Sequence, residues 1–160
     1  MCLNSIEEAI LNTDFNKEWK KHRELLGTVF VNFKNPEVIK TFDDSKADCK
    51  GIYVFYDAVT EKVKNLYCGV SEKPTSTCRG RILAHCRSIE NALGLPKTSS
   101  ESTGKKAVKY YKDRDTATLA VWFMDLEKFK IPGFKLLFEE NMIPILEGPF
   151  NRENKKKEST

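Results

Sequence analysis

Gly51-Ile52-Tyr53-Val54-Phe55-Tyr56 and Val63-Lys64-Asn65-Leu66-Tyr67-Cys68-Gly69-Val70 are the two stretches whose reading decides the fold of this chain. Both are compact and rich in aromatic and β-branched residues, the composition of strands that bury at least one face. The connection between them, Asp57 to Lys62, is largely polar, so the pair reads as a β-hairpin with a somewhat long loop. Each strand carries a tripeptide with one tyrosine and one glycine, Gly51-Ile52-Tyr53 and Tyr67-Cys68-Gly69, and the two tyrosines are fourteen residues apart.

Downstream, Pro74 precedes a run from about Ser76 to Leu93 in which Ile82, Leu83, Cys86, Ile89, Ala92 and Leu93 form an apolar stripe, and Gly94 ends it. Arg81 and His85 stand at i and i+4 of this helix and so share one of its faces. Thr116–Met124 reads as a third strand, Asp125–Lys130 as a short helical turn, and Pro132 opens a further helix running to about Asn141. Upstream, Ser5 with Glu8 forms a capping box for a short helix, and Asp14 caps another. In that second helix Phe15, Trp19, His22 and Leu26 fall at helical spacing before Gly27 stops it. Thr28–Phe33 has strand character, Asn35–Phe42 is expected as a short helix entered through Pro36, and Asp43–Cys49 as a polar loop. Pro96–Asp115 holds too few apolar residues to build a core and is expected as an exposed basic insertion.

The predicted fold is therefore α+β, with a small central antiparallel three-stranded sheet flanked by helices. Residues 1–48 are expected as an N-terminal helical extension on a core domain of residues 49–153, followed by a charged tail, 154–160.

The 160 residues suffice for one domain with a real core, and 40% apolar residues with scattered aromatics exclude a disordered or fibrous chain. No apolar run approaches the roughly 20 residues of a membrane helix. Glu7 and Glu8 stand where a secretory signal would be basic and then apolar, so a cytoplasmic location is expected and no membrane partner. Five cysteines without a Cys-x-x-Cys pair, and two histidines, assemble no zinc pattern from local spacing and read as reduced, mostly buried thiols. The net charge of +4 is uneven: residues 51–116 carry 12 Lys/Arg against 7 Asp/Glu, while residues 1–50 carry 8 against 9. A cationic middle region suits a polyanionic partner, because phosphate contacts supply sequence-independent affinity.

These pieces occur in a particular order: Gly-Ile-Tyr, then Tyr-x-Gly, then Arg81-x-x-x-His85 on the following helix. Leu136-Leu137-Phe138-Glu139-Glu140-Asn141 then leads to Gly148-Pro149-Phe150-Asn151, with Glu139 and Asn151 twelve apart. Over about a hundred residues, Gly51 to Asn151, this order resembles the GIY-YIG nuclease family, and Ser71 fits that family's common Tyr-x-Gly-x-Ser form. Cys68 departs from the usual aliphatic centre of the second tripeptide, the tyrosine separation is a few residues longer than is common, and residues 96–115 are no part of the minimal pattern.

The resemblance implies a metal-dependent endonuclease that hydrolyses phosphodiester bonds in DNA, with RNA a second possibility, as a stand-alone restriction, phage or defence nuclease. It implies Glu139 as the single carboxylate ligand of one Mg²⁺ or Mn²⁺ ion, Arg81 facing the scissile phosphate, and Tyr53, Tyr67 and His85 lining the site. Asn151 would fix the local structure. Such chemistry needs an activated water and a way to neutralise charge growing on the phosphoryl oxygens, which a metal and a guanidinium supply. Either tyrosine fits the role of base, with Tyr53 the first choice, and helical phase alone does not separate Glu139 from Glu140. Lys105, Lys106, Lys109, Tyr110, Lys112 and Arg114 in the basic insertion suit backbone contact and stacking on DNA. A restriction enzyme reading a palindrome is expected as a homodimer. The competing reading is a non-catalytic nucleic-acid-binding module on the same fold.

Overall fold

The structure, a computed structural model, describes residues 15–58, 65–71, 76–95, 103–128 and 148–151. Its elements run α1 (Phe15–His22), β1 (Glu24–Asn32), β2 (Glu37–Phe42), β3 (Gly51–Asp57), β4 (Asn65–Ser71), α2 (Cys78–Ala92), α3 (Thr103–Tyr110) and β5 (Thr116–Asp125), with a 3-10 turn at Leu126–Lys128. The expected helix at Ser5–Ile10, the helix opened by Pro132 and the tail lie outside the described residues. Among the described residues no helix is long and apolar enough to cross a membrane.

The five strands form one antiparallel sheet in the order β2-β1-β5-β3-β4. The chain is α+β, but the expected three-stranded sheet is corrected to five strands. The three predicted strands are present side by side as β5-β3-β4, and the N-terminal region extends them on the free side of β5 with a hairpin. The N-terminal region is thus only partly helical: α1 is short, and β1 and β2 belong to the sheet itself. The expected helix over Asn35–Phe42 is strand β2 because Pro36 lies in a hairpin turn rather than opening a helix. Asn32 holds that turn, its Oδ1 accepting the backbone N–H groups of Lys34 (3.1 Å) and Asn35 (2.9 Å). Leu26 and Gly27, expected at a helix end, sit in β1 beside a bulge against β5.

Strand β3 is buried along its whole length, which is why Gly51–Tyr56 reads as a continuous apolar run rather than an alternating one. One face of the sheet carries Tyr53 and Phe55 with Val29, Leu119, Val121 and Phe123. These pack in one core with Ile82, Cys86 and Ile89 of α2 and Ala107 of α3. On the opposite face Trp19 of α1 donates its indole N–H to the Tyr56 hydroxyl at 3.0 Å. Arg23 lies over the Trp122 ring, 4.4 Å from its centroid.

Helix α2 starts where the sequence expects it. Thr77 is its N-cap, the hydroxyl accepting from the Gly80 N–H at 3.1 Å, and Gly94 follows its end at φ 80°. Lys40 of β2 reaches the buried Glu90 of α2 at 3.2 Å and ties the added hairpin to the helix layer.

The expected exposed insertion at Pro96–Asp115 is corrected as well, because it contains α3, whose Thr103, Gly104 and Ala107 are buried, followed by the buried Tyr111. Gly104 permits the docking: a Cβ there would overlap the Ser88 backbone carbonyl, and its N–H donates to the Ser88 hydroxyl at 2.9 Å. Cys49, Cys68, Cys78 and Cys86 are free thiols, the last three buried.

Candidate active site

Strand register explains why the two tripeptides belong together. Tyr53 lies opposite Gly69, and Tyr67 lies opposite Phe55, so both tyrosines occupy the sheet face beneath α2. A Cβ at Gly69 would overlap the Tyr53 ring and hydroxyl, so only glycine lets that ring lie across β4. The Tyr53 and Tyr67 rings are stacked at 21°, with centroids 6.0 Å apart.

Helix α2 brings Arg81 and His85 onto the tyrosines. The Tyr53 hydroxyl and His85 Nε2 are 2.9 Å apart, and the His85 ring centroid is 4.5 Å from that of Tyr67. His85 Nδ1 is 3.0 Å from the Thr103 hydroxyl at the start of α3, so both ring nitrogens are engaged. The Arg81 guanidinium and the Tyr67 phenol are both close enough to act on the Tyr53 hydroxyl. Tyr53 and His85 are buried, whereas Arg81 and Tyr67 are half-buried, so the site has a closed floor and a more open rim.

Burial pushes the Tyr53 phenol well above the usual tyrosine range, Tyr67 adds to the shift, and the Arg81 cation only partly counters it. Tyr53 therefore holds its proton and serves as a hydrogen-bond donor. It can accept a proton from elsewhere only by passing its own to a neighbour, and His85 Nε2 is within reach.

Asn151 joins the site through the backbone of the second tripeptide. Its Oδ1 accepts the Cys68 N–H at 3.0 Å and its Nδ2 donates to the Cys68 carbonyl at 2.8 Å. The same Oδ1 takes the Gly148 N–H at 2.9 Å, closing the 148–151 turn upon itself. The carboxamide thus imitates a neighbouring strand on the side of β4 that pairs with no other described strand. A bulge in the β3–β4 pairing makes room, with the Phe150 N–H donating to the Leu66 carbonyl at 2.9 Å. Ser71, at the end of β4, is buried, its Oγ 2.9 Å from that of Ser76 just before α2.

The basic group divides in two. Lys105, Lys109, Tyr110 and Lys112 are exposed. Lys106 donates to the Asn151 carbonyl at 2.7 Å. Arg114 pairs with the buried Asp57 carboxylate at 3.2 Å and lies 5.1 Å from the centroid of the Tyr111 ring. Glu139 and its rival Glu140 lie outside the described residues. Among the described residues no group of three or more His, Cys, Asp and Glu side chains could hold a metal ion. The site's described side chains are two phenols, an imidazole and a guanidinium, and a hard divalent cation prefers carboxylate oxygen.

Sequence reading missed Thr103 and the buried role of Tyr111. The signal was present in weak form: Thr103, Gly104, Ala107 and Tyr111 recur at helical spacing, but three of the four are small or polar and register poorly as an apolar stripe. Compared with protein-family models, with curated proteins and with solved structures, the chain finds no match.

Proposed function

We propose that this chain is a metal-dependent endonuclease hydrolysing phosphodiester bonds in DNA, acting in the cytoplasm. The observation that carries this reading is the convergence of Tyr53, Tyr67, Arg81 and His85, from two strands and a helix, around one phenol hydroxyl. That cluster offers a guanidinium fork for a phosphate oxygen and a hydroxyl-imidazole pair for a proton, which are two needs of phosphodiester hydrolysis.

In this reading Arg81 at the rim binds the scissile phosphate and neutralises charge on its oxygens. Tyr67, the more open tyrosine, orients the attacking water. As the water oxygen bonds to phosphorus, the P–O bond to the leaving oxygen breaks. The water's proton moves to the Tyr53 oxygen, the Tyr53 proton moves to His85 Nε2, and the departing alkoxide takes a proton from bulk water. His85 is thus the net proton acceptor, and the Tyr53 phenol never has to exist as a phenolate. Glu139 would hold the Mg²⁺ or Mn²⁺ ion, which when bound supplies Lewis acidity to the phosphate and its leaving oxygen. Asn151 holds the tripeptide backbone in place. The exposed Lys105, Lys109, Tyr110 and Lys112 track the DNA backbone, with affinity that falls as salt rises.

The test incubates plasmid DNA, and separately RNA, with wild type, Arg81→Ala and Glu139→Gln in Mg²⁺ and in EDTA. Wild type is expected to cleave in Mg²⁺ only, and each variant to lose about 100-fold or more in rate. Cleavage that survives Glu139→Gln removes the metal assignment. Tight binding without cleavage by wild type favours a non-catalytic nucleic-acid-binding module.

A further inference from the structure

The buried histidine of the site has a second partner that the tripeptide pattern does not contain. His85 is 2% exposed and Thr103 6% exposed, and their Nδ1 and Oγ1 atoms are 3.0 Å apart. Thr103 comes from α3, in a segment whose sequence reads as a polar insertion, and two features hold it there. Gly104 abuts the Ser88 backbone with no room for a Cβ, and its N–H is bonded to the Ser88 hydroxyl at 2.9 Å. The Lys106 ammonium is bonded to the Asn151 carbonyl at 2.7 Å, fastening the same helix to the turn that secures β4.

A neutral imidazole carries one proton, and the nitrogen that carries it is set by the partner at the other nitrogen. The Tyr53 hydroxyl has one hydrogen to donate, and the neighbouring Arg81 guanidinium carries only donors, which leaves the Tyr67 oxygen and His85 Nε2, 2.9 Å away, as its acceptors. Of its neighbours, an imidazole nitrogen is a far stronger base than the Tyr67 phenol oxygen. His85 Nε2 then accepts from Tyr53, Nδ1 carries the hydrogen, and that hydrogen needs a buried acceptor. The Thr103 hydroxyl is the atom in place for it.

We infer that Thr103 is a positioning residue: by accepting the Nδ1–H of His85 it holds the imidazole in the tautomer whose Nε2 can take the Tyr53 proton. Its role in turnover rests on the nuclease reading, but the tautomer does not. Helix α3 is therefore part of the site's machinery as well as a carrier of exposed lysines.

The experiment measures the His85 tautomer in ¹⁵N-labelled protein by long-range proton–nitrogen correlation at a pH where the ring is neutral. His22→Gln assigns the signals, since the chain has two histidines. Wild type is expected in the Nδ1–H form, Thr103→Ser likewise, and Thr103→Val with a substantial Nε2–H population. In plasmid cleavage Thr103→Val is expected to lose about 10- to 100-fold in kcat with little change in KM, the range typical of losing a hydrogen-bond partner behind a functional imidazole. Thr103→Ser should restore the rate. A wild-type ring in the Nε2–H form overturns the inference, and so does Thr103→Val with an unaltered tautomer or unaltered kcat in an active enzyme. A wild-type Nδ1–H ring in a protein that cleaves nothing supports the positioning role and removes the nuclease reading instead. Should Thr103→Val not fold, the wild-type and Thr103→Ser spectra still decide the matter.

Discussion

Replacing Asn151 by alanine separates a structural role at the site from a chemical one. The carboxamide makes three hydrogen bonds, to Cys68 N–H (3.0 Å), Cys68 C=O (2.8 Å) and Gly148 N–H (2.9 Å), all with backbone groups. Each such bond contributes about 0.5–1.5 kcal/mol net, so their summed loss would be about 1.5–4.5 kcal/mol. Asn151 is half-buried, so water can re-solvate some of the released groups, and we expect about 2 kcal/mol, the lower part of that range. The assay is urea unfolding of wild type and Asn151→Ala, with hydrogen exchange followed at the Cys68 amide. The midpoint should fall at unchanged m value, and the Cys68 amide should lose protection before the amides of β5 do. A stability loss below about 0.5 kcal/mol, typical of a neutral surface position, would refute the bracing role. So would a Cys68 amide as protected in the variant as in wild type.

Three further outcomes follow from the same geometry. Gly69→Ala drives a methyl into the Tyr53 ring and should cost about 1–3 kcal/mol by thermal or urea unfolding, as overpacking does. It should also break the Tyr53–His85 contact, and an unperturbed His85 ring spectrum would contradict this. Arg114→Ala strips the buried Asp57 of its 3.2 Å partner; because Arg114 is itself a third exposed, we expect about 2 kcal/mol, below the cost of breaking a fully buried pair. Stability should also fall in alkali. Burial pushes the Cys86 thiol up to about 12 from 9.0, so the folded state keeps a proton that the unfolded state gives up. The contribution is whole below about pH 9 and is lost as pH rises towards about 12, at about 1.4 kcal/mol per pH unit for Cys86 alone. The buried Tyr53 and Tyr111, likewise raised by burial, act in the same direction at higher pH. Urea stability that stays flat from about pH 9 to about pH 11 would contradict this linkage.

Much of the site was legible in order and spacing, because its parts depend on short-range geometry. The offset between Arg81 and His85 places both on one helix face whatever the rest of the chain does. The Tyr-x-Gly of β4 and the Gly-x-Tyr of β3 are also local patterns, although their reason, a ring lying over a missing side chain, lies in the strand register. Thr103 was hardly legible, since its helical spacing with Ala107 and Tyr111 runs through small and polar residues that register poorly as an apolar stripe. Its role depends on a contact across 18 residues.

The sequence by itself determined the hairpin, the α2 helix with its apolar stripe and Gly94 stop, and the third strand, because composition, periodicity and stop signals act over a few residues. The strand character of β1 was legible over Thr28–Phe33; only the tertiary structure decided that Glu37–Phe42 is a strand too and that both join the sheet. Short amphipathic segments around a proline satisfy strand and helix patterns alike, and the free edge of β5 resolves the choice by pairing with β1. The same is true of α3. Its small residues bury little apolar area in isolation, and the helix is held where it is because Ser88, His85 and the Asn151 turn supply partners that no local reading contains.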